Sequence, residues 1–115
     1  MKLYGIPNCG TVKKARQFLE NQGIAYDFID YKKNPLSESL LRLWLQQIGW
    51  QRLLKKTGPT WAQLPDAVKA GIVDDASAMA LMLEKPNVIR RPVLEQDEKV
   101  VATGFNEADY ERLFK

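Results

Sequence analysis

The chain has no histidine and only one cysteine among its 115 residues. Without histidine there can be no Cys-His pair, no Ser-His-Asp triad and no His-containing zinc site, and one cysteine rules out both an internal disulfide and a multi-cysteine metal centre. Catalysis, if present, must rest on a thiolate, helix dipoles, and Arg or Lys. No apolar run approaches the ~18–20 residues needed to cross a bilayer, and the N-terminus lacks the basic stretch and apolar core of a secretory leader. A reducing cytoplasm is the expected location. Charge of one sign is not concentrated either: 17 Lys and Arg against 14 Asp and Glu leave a net +3, too even for the basic face of a nucleic-acid binder. Neither nucleic acid nor membrane is an expected partner. There is no repeat, linker or low-complexity segment, and 115 residues with 45% hydrophobic content suit one domain spanning 1–115, expected to be a monomer.

The one cysteine is well placed. Lys2-Leu3-Tyr4-Gly5-Ile6 reads as a short strand that breaks at Pro7-Asn8, and a helical pattern begins near Thr11, so Cys9 falls at a helix N-terminus. Unpaired backbone N–H groups and the positive end of the helix dipole favour an anion there, and hence the thiolate. Lys13, Lys14 and Arg16 follow within two turns; Lys13 and Lys14 read as ordinary exposed helix residues, with a first-turn cation close to Cys9 lowering its pKa as the alternative. Cysteines in such settings titrate at roughly 3.5 to 7.5 and are nucleophilic at neutral pH.

Val12, Ala15, Phe18 and Leu19 recur at helical spacing up to Asn21-Gln22-Gly23, with the glycine as stop. Ala25 to Tyr31 alternates as a second strand, so the first third reads as a βαβ unit with parallel strands. Ser37-Glu38-Ser39 opens a helix carrying Leu40, Leu41, Leu43, Trp44, Leu45 and Ile48 to Gly49. Further helices are predicted over Gln51 to Lys55, Trp61 to Leu64 and, behind the Asp74-Asp75 cap, Asp74 to Glu84. Arg91 to Leu94 and Val100 to Ala102 read as strands joined by Gln96-Asp97-Glu98, and Asn106 caps a last helix running through Leu113. The expected class is α/β: a thioredoxin-like fold with a helical insertion, about 37–85, between a βαβ half and a ββα half.

With Asn8-Cys9-Gly10-Thr11 at the end of the first strand and Ile89-Arg90-Arg91-Pro92-Val93 before the third, the chain resembles the ArsC/Spx (arsenate reductase-like) family over nearly its whole length. It is most similar to the small YffB-type branch, through Thr11-Val12-Lys13-Lys14-Ala15-Arg16, Gly49-Trp50, Thr60-Trp61 and Gly104-Phe105-Asn106. The resemblance implies that Cys9 is the attacking thiolate and that Arg91 stabilises it or holds an anion. It also implies that Pro92 is the proline, usually cis in this fold, beside the active cysteine. Lys55 stands where the family has an arginine in the helical insertion; a lysine offers a point charge without a bidentate fork. Another family arginine should fall within Ala102-Thr103-Gly104, which contains none.

Val12 occupies the position of the second cysteine in the thioredoxin pattern, so the thiol that relieves an oxidised Cys9 must come from outside the chain. The expected function is therefore a glutathione-dependent monothiol oxidoreductase. Cys9 and Arg91 are its catalytic residues; Gly10, Thr11 and Val12 form an anion cradle with Lys55 and Pro92. No cofactor or metal is expected to be bound. Glutathione or another small thiol or oxyanion is the expected partner, with glutaredoxin as a second candidate. The alternatives are a glutathione/glutaredoxin-dependent arsenate reductase and a non-enzymatic, Spx-like regulator that binds RNA polymerase; the latter proteins commonly use a two-cysteine switch, which this chain cannot form. Trp44 reads as core, and Trp50 and Trp61 as core or as the lining of a pocket.

Overall fold

The computed structural model describes residues 1–114. The chain divides into two compact units, Met1–Pro35 with Arg91–Lys115, and Leu36–Arg90. In the first unit, β1 (Lys2–Gly5) leads through a turn into α1 (Gly10–Asn21), and β2 (Asp27–Asp30) follows. β3 (Val93–Gln96), β4 (Lys99–Thr103) and α7 (Glu107–Leu113) complete it. The strands lie in the order β2-β1-β3-β4, with β1 parallel to β2 and the other pairs antiparallel. This is the thioredoxin-like α/β arrangement that the strand and helix order predicts.

Local chemistry explains each boundary. The Cys9 N–H donates to the Ile6 carbonyl across Pro7-Asn8, a turn that suits a proline at its first central position. α1 ends one residue earlier than a glycine cap would place it: Gln22 is the C-cap, and Gly23 follows with φ 67°. There the Gly23 N–H reaches Glu20 and the Ile24 N–H reaches Leu19, the crossed pair of a Schellman ending. β3 begins at Val93 rather than Arg91, because Pro92 has no N–H to give to the ladder, which starts where Val93 pairs with Tyr4; the Arg91-Pro92 peptide is cis. Asp97 and Glu98 both take positive φ, 52° and 66°, in the two-residue loop that matches the twist of β3 and β4.

Leu3 and Leu94 on the sheet pack with Ala15, Phe18 and Leu19 of α1 and with Tyr110 of α7. Phe18 meets Tyr110 edge-on at 5.6 Å, a favoured aromatic geometry. The Tyr4 hydroxyl donates to the buried Glu95 carboxylate at 3.3 Å. Burial first, then the charge and hydrogen bond of Glu95, push the Tyr4 phenol up to about 12.

The second unit is helical: α2 (Glu38–Ile48), α3 (Trp50–Leu53), α4 (Pro59–Ala62), α5 (Asp66–Ala70), α6 (Asp75–Glu84) and a 3₁₀ turn at Pro86–Val88. Ser37 caps α2 by accepting from the Leu40 N–H, and Asp74 with Ser77 forms a reciprocal capping box on α6. Leu41, Trp44 and Leu45 are the buried face of α2, which packs on α6. α3 and α4 begin earlier and end sooner than expected, and α5 is an addition. No helix among the described residues is long and apolar enough to cross a membrane.

Candidate active site

Cys9 is the N-cap of α1, with extended backbone and a half-exposed side chain. Its carbonyl accepts from the Lys13 N–H at 2.9 Å, the first bond of the helix. The sulfur makes no capping hydrogen bond of ordinary length, but the Val12 and Thr11 N–H groups are directed at it and favour its charged form. The Arg91 guanidinium approaches from the segment before β3. Burial opposes ionisation of the thiol; the Val12 N–H, Arg91 and the Thr11 N–H together outweigh it, and the thiol titrates below its ordinary value. The effect is mutual: burial alone would weaken the guanidinium's charge, yet its contacts with Cys9 and Tyr31 hold it firmly protonated.

Cys9, Thr11, Val12 and Arg91 thus come together as read from sequence. Gly10 is the first residue of α1, and nothing in the protein lies within 4 Å of where a Cβ on it would stand, so that side of the helix end is open. Pro92 follows the cis bond, and its carbonyl accepts from the Gly104 N–H at 2.8 Å. Lys55 belongs to the helical unit, where its N–H donates to Val88 at 2.7 Å; the groups acting on the Cys9 sulfur all come from its own unit.

The basic residues of α1 do not supply the positive charge at the sulfur. Lys13 and Lys14 are exposed on α1 and do not contribute to the thiol's shift. Arg16 is turned to β2, where it lies 4.2 Å over the Phe28 ring and its Nε donates to the Tyr26 hydroxyl. The cation at Cys9 is Arg91. Trp50 and Trp61 are half-buried in the helical unit, with Lys56 Nζ 5.4 and 5.5 Å from their rings, so their faces meet the chain's own cation.

Two features of the site have no sequence signal. Tyr31, just past β2, is buried beside Arg91 and Cys9; a single tyrosine at a strand end belongs to no motif. The second is a cleft of about 480 Å³ along the outer face of α1. Thr11, Lys14, Phe18 and Asn21 line one side of it, and Phe105 and Glu107 the other. Ten residues of helix separate its ends, roughly 15 Å at 1.5 Å per residue, longer than an extended tripeptide at about 10 Å. Among the described residues no cluster of carboxylates and cysteine is suited to a metal ion.

The sequence pattern of the ArsC family matches residues 4–113. A solved structure described as the YffB protein superposes with a TM-score of 0.89 at 42% identity, covering 96% of each chain. An arsenate reductase (ArsC) related protein from Brucella melitensis superposes with a TM-score of 0.80 at 47% identity, covering 99% of this chain and 93% of that one. The global transcriptional regulator Spx of Streptococcus agalactiae is 29% identical over 107 residues, 91% of this chain and 76% of the regulator.

Proposed function

The chain belongs to the ArsC family, and from that premise we propose that it is a glutathione-dependent monothiol oxidoreductase with Cys9 as nucleophile. The observation that carries this reading is the convergence of two backbone N–H groups and Arg91 on one thiol whose ionisation they favour. In the first step the Cys9 thiolate attacks a disulfide sulfur; a new S–S bond forms to Cys9, the old one breaks, and its electron pair leaves on the departing thiolate. In the second, the thiolate of reduced glutathione attacks the mixed disulfide and Cys9 departs as thiolate. The half of the substrate that departs first leaves as a reduced thiolate, and glutathione leaves oxidised, in a disulfide with the other half; when that half is itself glutathione, the product is glutathione disulfide. With Val12 where a second cysteine would stand, this second thiol must come from solution.

The cleft along α1 supports a peptide-like thiol as co-substrate. It starts at Thr11, whose N–H faces the sulfur, its volume lies within the usual range for small-ligand sites, and Lys14 and Glu107 supply opposite charges for a carboxylate and an ammonium. Arsenate reduction is the reading that the name of the Brucella relative favours. Arg91 would be the oxyanion's arginine there, with Lys55 in place of a second and none in Ala102–Gly104. The Spx relative is named a global transcriptional regulator, and a regulator of that kind, binding RNA polymerase, is the non-enzymatic alternative for this chain.

Intact-mass measurement after exposure to glutathione disulfide tests the proposal. One glutathione should add to the wild type, none to Cys9→Ser, and excess reduced glutathione should remove it. A protein that stays unmodified where a model thiol reacts would overturn it. Retention of RNA polymerase rather than glutathione on affinity matrices would favour the regulator instead.

A further inference from the structure

We infer that Tyr31 is a catalytic residue of this site, its hydroxyl donating a hydrogen bond to the Cys9 sulfur whenever that sulfur is anionic. The inference rests on the reading of Cys9 as the reacting thiolate. Tyr31 is only 1% exposed, and its buried hydroxyl reaches no acceptor for its proton; the guanidinium of Arg91, a donor, is the side chain that bears on it most. A buried hydroxyl proton without an acceptor is uncommon enough to require an explanation.

Its surroundings supply one. The Tyr31 N–H donates to the Gly5 carbonyl at 3.2 Å, which fixes the residue at the carboxyl ends of β1 and β2, where open α/β sheets bind their ligands. The charged groups near the phenol are Arg91, Cys9 and Asp30. Arg91 is a donor and cannot take the phenol's proton. Asp30 is held at the loop after β2, where its Oδ1 accepts from the Lys32 N–H at 2.9 Å and the Lys33 N–H at 3.4 Å, and it acts on the phenol less than Cys9 does. The remaining group is Cys9. A neutral thiol is a weak acceptor, whereas a thiolate is a strong one, so the hydroxyl gains its partner when the sulfur ionises. Burial pushes the Tyr31 phenol above its ordinary value, with Arg91 acting in the opposite direction. It therefore stays protonated through neutral pH and acts as a donor.

In the release step glutathione attacks the mixed disulfide, a new S–S bond forms between glutathione and the substrate sulfur, and the electron pair of the broken bond goes to Cys9. Arg91, the α1 N–H groups and the Tyr31 hydroxyl then face that departing thiolate, and no proton needs to move.

The test is Tyr31→Phe, which keeps the ring and removes only the oxygen. Four quantities are measured against wild type: the pH midpoint of iodoacetamide alkylation, the rate constants of attack on glutathione disulfide and of release by reduced glutathione, and the melting temperature. The midpoint should rise. For each unit of rise, attack per thiolate should quicken about threefold, since intrinsic nucleophilicity grows with pKa at a slope of roughly 0.4–0.5, while release slows. Measured at a pH low enough to keep Cys9 protonated, the melting temperature should hold or increase, because the hydroxyl then donates no hydrogen bond that the variant could lose. An unmoved midpoint with a normally activated wild type overturns the role of Tyr31 alone. So does a fall of several degrees in melting temperature, which would show a structural partner for the hydroxyl. A wild-type midpoint at or above ~8.5, the ordinary thiol value, overturns the underlying reading of Cys9 as well.

Discussion

Gly5, the last residue of β1, lies close against Val12 of the reactive helix, and replacing it with alanine gives a sharp test of how tightly strand and helix are packed. A Cβ at this position would stand 2.9 Å from Val12 Cγ2 and 3.2 Å from Cγ1. Carbon atoms rest at about 3.5–4.0 Å, so the helix and strand would have to part by roughly 0.5–1 Å. Val12 is fully buried and β-branched, with one strongly preferred rotamer in a helix, so it cannot swing aside. Overpacking of this kind costs about 1–3 kcal/mol, which for a chain this size lowers the melting temperature by roughly 4 °C per kcal/mol. Val12→Ala alone opens a void and should cost about 1–3 kcal/mol. In the double variant the new methyl enters the space left by the old ones, so its loss should fall short of the sum by about 1–2 kcal/mol. Urea denaturation of the four proteins measures this cycle. Because the Val12 N–H is one of the groups facing the sulfur, Gly5→Ala should also raise the alkylation midpoint, and the double variant should recover much of it. Additive losses, or a Gly5→Ala variant as stable as wild type, would refute the reasoning.

Arg91→Ala should raise the Cys9 midpoint clearly, whereas Arg91→Lys, which keeps the charge, should raise it less but weaken glutathione binding through loss of the bidentate fork; pH-dependent alkylation and calorimetry separate the two. Stability should also depend on pH through Cys9. The folded thiol titrates below its ordinary value, so between the folded and unfolded pKa the unfolded chain binds more protons and stability rises with pH. Relative to Cys9→Ser, the wild type should gain stability as pH rises toward the unfolded value of about 8.5 and keep that gain above it, losing it as pH falls through the folded value; denaturation across pH checks this sign.

The helices with clear caps or stripes were legible from sequence: Ser37, Asp74 and Asn106 stand at the N-caps of α2, α6 and α7. α5 escaped because none of its residues is buried, so no apolar period marks it. The reactive thiol was legible from the strand-to-helix break, but the direction of nearby cations was not. Lys13, Lys14 and Arg16 adjoin Cys9 in sequence, yet a helix fans successive side chains around its axis, and Arg16 ends on Phe28 while distant Arg91 arrives from the segment before β3. Tyr31 illustrates the same limit: its place in the site follows from the pairing of β1 with β2, which composition does not carry.

The N-cap position of Cys9 ties the covalent state of its sulfur to the integrity of α1. Cysteine is not among the usual capping residues, so the first turn depends on the sulfur's negative charge for whatever anchoring it receives. A disulfide at Cys9 is neutral. Each oxidation should therefore loosen the first turn and each reduction tighten it, and amide hydrogen exchange at Thr11 and Val12 becomes a readout of redox state written in the fraying of a helix.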